Sequence, residues 1–230
     1  MSIFAIADTH LSFQTDKSMH IFSGWEDYTS RLEQNWRKIV GENDWVILPG
    51  DISWGMQLSE TREDFAFLHA LPGKKILLKG NHDYWWSTAN KIQKFFCENG
   101  FDSLRILYNN AYEIGDYAVC GSRGWFFDDD ADNAEKVLLR EAGRLRRSIE
   151  QALAFEKELL VFLHYPPVSE LQVCEPMMEV LTSFPVAQCF FGHVHGEKTD
   201  RYRDFVHSGI RFSLVSGDFL KFCPKLIRKF

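Results

Sequence analysis

Thiols are few and unpaired in this 230-residue chain. Its five cysteines (Cys97, Cys120, Cys174, Cys189 and Cys223) are scattered, odd in number and form no CxxC pair. That argues against a disulfide framework and against a thiolate zinc site, and leaves buried cytosolic thiols that pack as small hydrophobes. Positive charge is also short, with 26 Lys+Arg against 32 Asp+Glu and a net charge of −6. Non-specific binding to nucleic acid or to anionic membranes needs a basic excess, so neither is expected. A small phosphate ester remains open, because a metal can neutralise its charge. No apolar run approaches the ~20 residues of a spanning helix. Residues 1–7 are apolar but carry no basic leader and run straight into Asp8 and His10, which does not read as a signal peptide. The expectation is a cytoplasmic protein.

What is present is a globular composition, 45% hydrophobic and 25% charged, sized for one domain over residues 1–230. Short β-branched or aromatic runs bounded mostly by Gly, Pro, Asn or Asp read as strands. They fall at residues 3–7, 45–48, 75–78, 105–108, 117–121, 159–163, 188–191, 205–206 and 210–215. Helical periodicity spans residues 26–40, with Leu32, Trp36, Ile39 and Val40 at three- and four-residue spacings, and residues 60–70 read as a further helical stretch. The clearest helix covers residues 132–158, with Leu138, Ala142, Leu145, Ile149 and Leu153 in one stripe and Asp132 or Asn133 as its cap. This alternation predicts an α/β architecture with more strands in the second half.

The residues after these strands carry the chemistry. Asp8-Thr9-His10 follows the first, Pro49-Gly50-Asp51 the second and Lys79-Gly80-Asn81-His82-Asp83 the third. His164-Tyr165-Pro166-Pro167 and Gly192-His193-Val194-His195 follow two later strands. Alone, each motif is an ordinary turn or polar pair. Together they place five of the eight histidines at strand ends, where α/β sheets bind ligands, and leave His20, His69 and His207 as structural or solvated residues. His69, at the end of a helical stretch, suits the negative end of a helix dipole. Asp8, His10, Asp51, Asn81, His164, His193 and His195 make seven nitrogen and oxygen donors without thiolate, a set that suits Zn, Fe, Mn or Co. Seven exceed the needs of one ion. With one bridging carboxylate they give two ions four ligands each, the arrangement of two-metal hydrolytic sites with ions ~3.5–4 Å apart.

The series Asp-x-His, Gly-Asp, Gly-Asn-His-Asp, His, Gly-His-x-His resembles the signature of calcineurin-like metallophosphoesterases, over residues 8–195. The segments around Asp51-Ile52-Ser53-Trp54 and Asn81-His82-Asp83-Tyr84-Trp85-Trp86 look like a bacterial branch of predicted phosphohydrolases. The resemblance implies a β-sandwich of two sheets flanked by helices and two divalent metal ions per chain. By the same resemblance Asp8, His10 and His195 hold one ion, Asn81, His164 and His193 hold the other, and Asp51 bridges. It also implies a metal-bridging hydroxide as nucleophile and His82 as general acid, with Asp83 beside it to orient the ring. A turn-stabilising role is the plainer reading of His82. Many family members carry Gly-Asp-x-x-Asp-Arg, whose Arg helps hold phosphate; here Gly50-Asp51-Ile52-Ser53-Trp54-Gly55 has neither residue.

Arg123, in a Gly-flanked loop after a strand, is a candidate replacement whose planar fork suits phosphate oxygens. It equally suits a surface pair with Asp128, Asp129 and Asp130, themselves read as a solvated loop and helix start. Trp54, Tyr84, Trp85, Trp86 and Trp125 lie near the motif loops. Some are expected to wall the site, Trp54 among the substrate contacts, and at least half to pack in the core. The functions in view are hydrolysis of small phosphomono- or diesters, protein serine/threonine phosphatase activity and a non-catalytic scaffold. The filled ligand set weighs against the last, and the missing Asp-Arg pair against the second. The expected partner is a small phosphoester, with no membrane and no nucleic acid.

Overall fold

Buried residues on both faces of the central strands require a layer against each face. In strand β1 (Ser2–Ala5), Ile3 and Ala5 join one buried cluster and Phe4 joins another, as the two-residue period of a strand demands. The computed structural model describes residues 1–125, 134–169 and 172–230. A first sheet places β1 beside β2 (Trp45–Leu48), β3 (Lys74–Leu77) and β4 (Leu104–Ile106), all parallel. A second contains β5 (Tyr112–Ile114), β6 (Tyr117–Ser122), β7 (Glu158–Leu163), β8 (Gln188–Phe191), β9 (Phe205–His207) and β10 (Ile210–Leu214). Its order is β5-β6-β7-β8-β10-β9, with the two edge strands antiparallel to their neighbours. The final strand β11 (Lys225–Lys229) returns to pair antiparallel with β1.

The inner layer, including Ile3, Ala5, Ile47, Ile76, Val119, Leu160, Phe162 and Phe190, fills the space between the sheets. On the outer face of the first sheet lie α1 (Tyr28–Ile39), α2 (Arg62–Ala70) and α3 (Ala89–Glu98), anchored by Leu32, Trp36, Phe65, Leu68, Ile92 and Phe96. On the outer face of the second lie α4 (Ala134–Leu153) and α5 (Glu175–Thr182), anchored by Leu145, Ile149, Met177 and Leu181. This is the expected two-sheet sandwich flanked by helices. No helix among the described residues is long and apolar enough to cross a membrane.

The predicted long helix overruns. It ends at Leu153, the amides of Phe155 and Glu156 turn back onto the carbonyls of Ala152 and Leu153, and Glu156 turns left-handed at φ 55° before Glu158 opens β7. Its proposed caps, Asp132 and Asn133, lie outside the described residues, as do Asp128, Asp129 and Asp130. Four elements lack a counterpart in the sequence reading: β5, β11, α3 and α5. The two strands are edge strands, half solvated, so their apolar signal is weak. Helix α3 starts at Thr88, whose side chain accepts the Lys91 amide, and holds only Ile92 and Phe96 fully in the core.

One buried cation has a structural task. Lys75, fully buried in β3, donates from Nζ to the carbonyls of Leu71 and Gly73 beyond the end of α2. Burial lowers its pKa to about 8.

Candidate metal centre

The carboxyl ends of β1, β2, β3, β7 and β8 meet at one rim, and the loops leaving them continue to hydrogen-bond to one another. Asp8 N donates to Gly50 O at 3.0 Å, His10 N to Asp51 O at 3.0 Å and Gly192 N to His164 O at 3.1 Å. Four of the candidate ligands sit in left-handed backbone: Asp8 (φ 58°), His10 (42°), Asp51 (52°) and His193 (71°). Outliers of this kind concentrate where a fold aims side chains at a ligand. The glycines of the motifs have a steric reason. A Cβ on Gly80 would lie 2.1 Å from Asp51 Oδ1, and one on Gly192 would lie 2.6 Å from Asp8 Oδ2.

All seven expected ligands converge. Asp8, His10 and His195 bring donor atoms within 4.8 Å of one another, and so do Asp8, Asp51 and His164. Asn81 Oδ1 lies 2.6 Å from His164 Nε2 and 3.0 Å from His193 Nδ1. Asp51 Oδ2 stands between the two groups, 3.7 Å from His10 Nε2 and 3.6 Å from His164 Nε2. Asp8 and Asp51 are buried, and among the described residues neither has a Lys or Arg partner. Burial, then the carboxylates of Asp83 and Asp8, drive the Asp51 pKa well up. Such crowding of buried carboxylates calls for a cation.

Three of the histidines are prepared for one. Burial lowers His164 and His193 to about 3 and depresses His10, so these rings are neutral and able to ligate. His164 Nδ1 is 3.0 Å from Pro49 O, which fixes its proton there and leaves Nε2 toward the cluster. Burial alone would lower His195, but Asp8 and Asp218 raise it to about 10. The donor set fits two borderline divalent ions.

The remaining predicted residues divide. The amide of His82 donates to Asp51 Oδ1 at 2.8 Å, while its ring lies against Trp54 at 4.5 Å and near His10 at 5.7 Å. Trp54 stacks on His10 at 4.9 Å, with Lys17 Nζ 4.6 Å from its ring. Asp83, expected to orient the His82 ring, instead accepts the amides of Gly80, Asp51, Ile52 and Ser53 and the Trp85 indole N–H, at 2.7–3.3 Å. A fully buried carboxylate next to backbone amides is more strongly drawn to them than to a half-exposed ring. Asp83 therefore clasps the Asp51 loop to the Asn81 loop. Trp85 is core, and Trp86 and Trp125 are partly buried against it or its counterpart. Arg123 lies over the Trp125 ring and 3.8 Å from Glu141 rather than among the seven donors.

Two neighbours of the site have no place in the sequence reading. Trp25, 3% exposed, packs against His10 and His195, each at 5.7 Å. Asp218 hydrogen-bonds His195 Nδ1 at 2.9 Å. Asp218 follows β10, so the strand-end rule reaches it once that loop is inspected; Trp25 carries no such signal.

The fold has known counterparts. A protein of unknown function from Aquifex aeolicus aligns with a TM-score of 0.55 at 16% identity, over 98% of this chain and 95% of that one. Phosphopantetheinyl hydrolase from Mycobacterium tuberculosis aligns at 0.56 and 14% identity, over 100% and 96%. A Thermus thermophilus protein aligns at 0.58 and 10% identity, over 92% and 87%. No curated protein matches. The model of the calcineurin-like phosphoesterases matches residues 1–197, from the first strand through the last of the clustered histidines. This chain is a member of the calcineurin-like phosphoesterase family.

Proposed function

We propose that the protein hydrolyses small phosphoric mono- or diesters with two divalent ions. Asp8, His10 and His195 would hold one ion, Asn81, His164 and His193 the other, and Asp51 both. The reach of Asp51 Oδ2 to within 3.7 Å of His10 and 3.6 Å of His164 carries this reading, since one oxygen serves both halves. Two such ions, when bound, lower the pKa of water and neutralise phosphate oxygens.

The chain supplies orientation and the proton. Asp83 holds the Asp51 and Asn81 loops in register, and Pro49 and Asp218 fix the tautomers of His164 and His195. His82 is next to a ligand yet outside the ligand set, and its ring is the proton donor to the leaving oxygen. Trp54 walls the side of the site nearest His10 and His82 and meets the substrate's leaving group there.

The test is a panel of phosphomono- and diesters assayed after chelation and reloading with Mn, Fe, Zn, Co or Mg. Hydrolysis that chelation abolishes and reloading restores is expected. Two bound ions with no turnover of any ester would leave only a scaffold.

A further inference from the structure

The donor cluster is flanked by two different parts of the fold. On one flank Trp54 and His82, from the loops after β2 and β3 of the first sheet, pack together at 4.5 Å and reach His10. On the other a cleft of about 340 Å³ opens among Pro166, His193, Val194, His195, Lys198 and Tyr202. These residues follow β7 and β8 of the second sheet, and neither Trp54 nor His82 is among them.

The walls of this cleft are fixed. Pro166 and Val194 are buried, and Tyr202 is partly buried with its ring 6.2 Å from Phe191. Lys198 and Tyr202 lie on a 3₁₀ turn, Gly196–Tyr202. Two hydrogen bonds pin that turn: Gly196 N donates to Asp218 Oδ2 at 2.9 Å, and Thr199 Oγ1 donates to Gly196 O at 2.8 Å. Lys198 is the one Lys or Arg among the described residues that line the cleft, and no Asp or Glu is among them. An anionic ester therefore meets no carboxylate in the lining.

The room exceeds what a phosphoryl group needs. A phosphate oxygen takes no more than the ~30 Å³ of a water molecule, whereas this volume, with Pro166, Val194 and Tyr202 as apolar or aromatic walls, suits an organic group of ring size or larger. His193 and His195 also belong one to each half of the donor set, so the cleft adjoins the reacting region. A phosphomonoester has one organic group, which in the reading above leaves past His82 and Trp54. A second organic seat has a use only when phosphorus carries a second organic group.

We propose that the substrates are phosphodiesters and that this cleft seats the apolar or aromatic group retained on phosphorus; the proposal rests on the phosphoesterase reading and on its placing of the leaving group. The oxygen of water bonds to phosphorus as the bond to the leaving oxygen breaks. His82 gives that oxygen a proton and regains one from water. The products are an alcohol and a phosphomonoester whose organic group is still in the cleft.

Two diesters with the same leaving group and the same charge, 4-nitrophenyl phenyl phosphate and 4-nitrophenyl methyl phosphate, test this on the metal-loaded full-length protein. The phenyl diester should have a kcat/KM roughly tenfold or more above that of the methyl diester, the scale of burying an aromatic ring. It should also exceed that of 4-nitrophenyl phosphate. Lys198→Trp, at an exposed position, fills the cleft, and Tyr202→Ala removes a wall; each should bring the two diesters together. A merely structural role would lower both diesters alike and leave their ratio unchanged. Calorimetry with phenylphosphonate and methylphosphonate, which are not hydrolysed, reads the same preference without turnover, and both variants should shrink it.

Equal kcat/KM for the two diesters, a monoester preferred to the phenyl diester, or a preference that neither variant narrows in either measurement overturns the cleft assignment and leaves the phosphoesterase reading standing. No turnover of any ester strikes that reading and the diester assignment together.

Discussion

His195 Nδ1 lies 2.9 Å from Asp218 Oδ1, while Asp218 Oδ2 accepts the Gly196 amide at 2.9 Å. One carboxylate thereby fixes both the ring and the loop that carries it, and turns His195 Nε2 toward Asp8, 3.6 Å away. Partners of this kind set ligand tautomer and basicity. Asp218→Asn is expected to weaken the ion held with Asp8 and His10 by ~10–100-fold, with the other ion less affected. Chelator competition measures both steps, and an unchanged first affinity would refute the assignment.

Asp51 is the residue on which a two-ion site depends. Asp51→Asn should reduce the metal content of protein reconstituted anaerobically from nearly two ions per chain to one or fewer. Elemental analysis decides it: a wild-type limit of one ion, with the variant still holding it, speaks against a shared carboxylate.

For His82, substitution by Ala should lower kcat by ~10²–10⁴ while metal content persists, as expected for loss of a general acid. The loss should be smaller for nitrophenyl esters, whose leaving group needs little protonation. Equal losses across good and poor leaving groups would return His82 to a turn-forming role.

Lys75 gives a pH signature in stability. Its pKa falls from 10.5 unfolded to about 8 folded, so between those values the unfolded chain binds more protons than the native one. Stability from this group therefore rises as pH increases through about 8 toward 10.5, and is lower below that window. Denaturant midpoints compared for wild type and Lys75→Met should show that rise only in the wild type. Parallel curves would mean that Lys75 is not perturbed.

The strand-end logic explains how much of the site can be read from one dimension. A parallel sheet delivers its strand ends to one rim, so Asp8, Asp51, Asn81, His164 and the His193/His195 pair were legible together once their strands were recognised. The apolar run of β1 and the helical stripe of α4 are local properties of the chain. Edge strands β5 and β11 carry half-solvated patterns, and α3 has too few buried positions to stand out.

The sequence alone thus determined the α/β class and the seven candidate donors, because periodicity and strand-end position are encoded residue by residue, whereas the two-sheet sandwich was implied only by the family resemblance. Only the tertiary structure decided who serves whom. Asp83 is one residue from His82, yet burial gives its carboxylate to the amides of Gly80, Asp51, Ile52 and Ser53. Asp218 reaches His195 across 23 residues, and Arg123 meets Glu141 of α4 from a different element. Side-chain partnership between separate elements depends on packing distance and on which polar atoms lose water, and neither is written in sequence order.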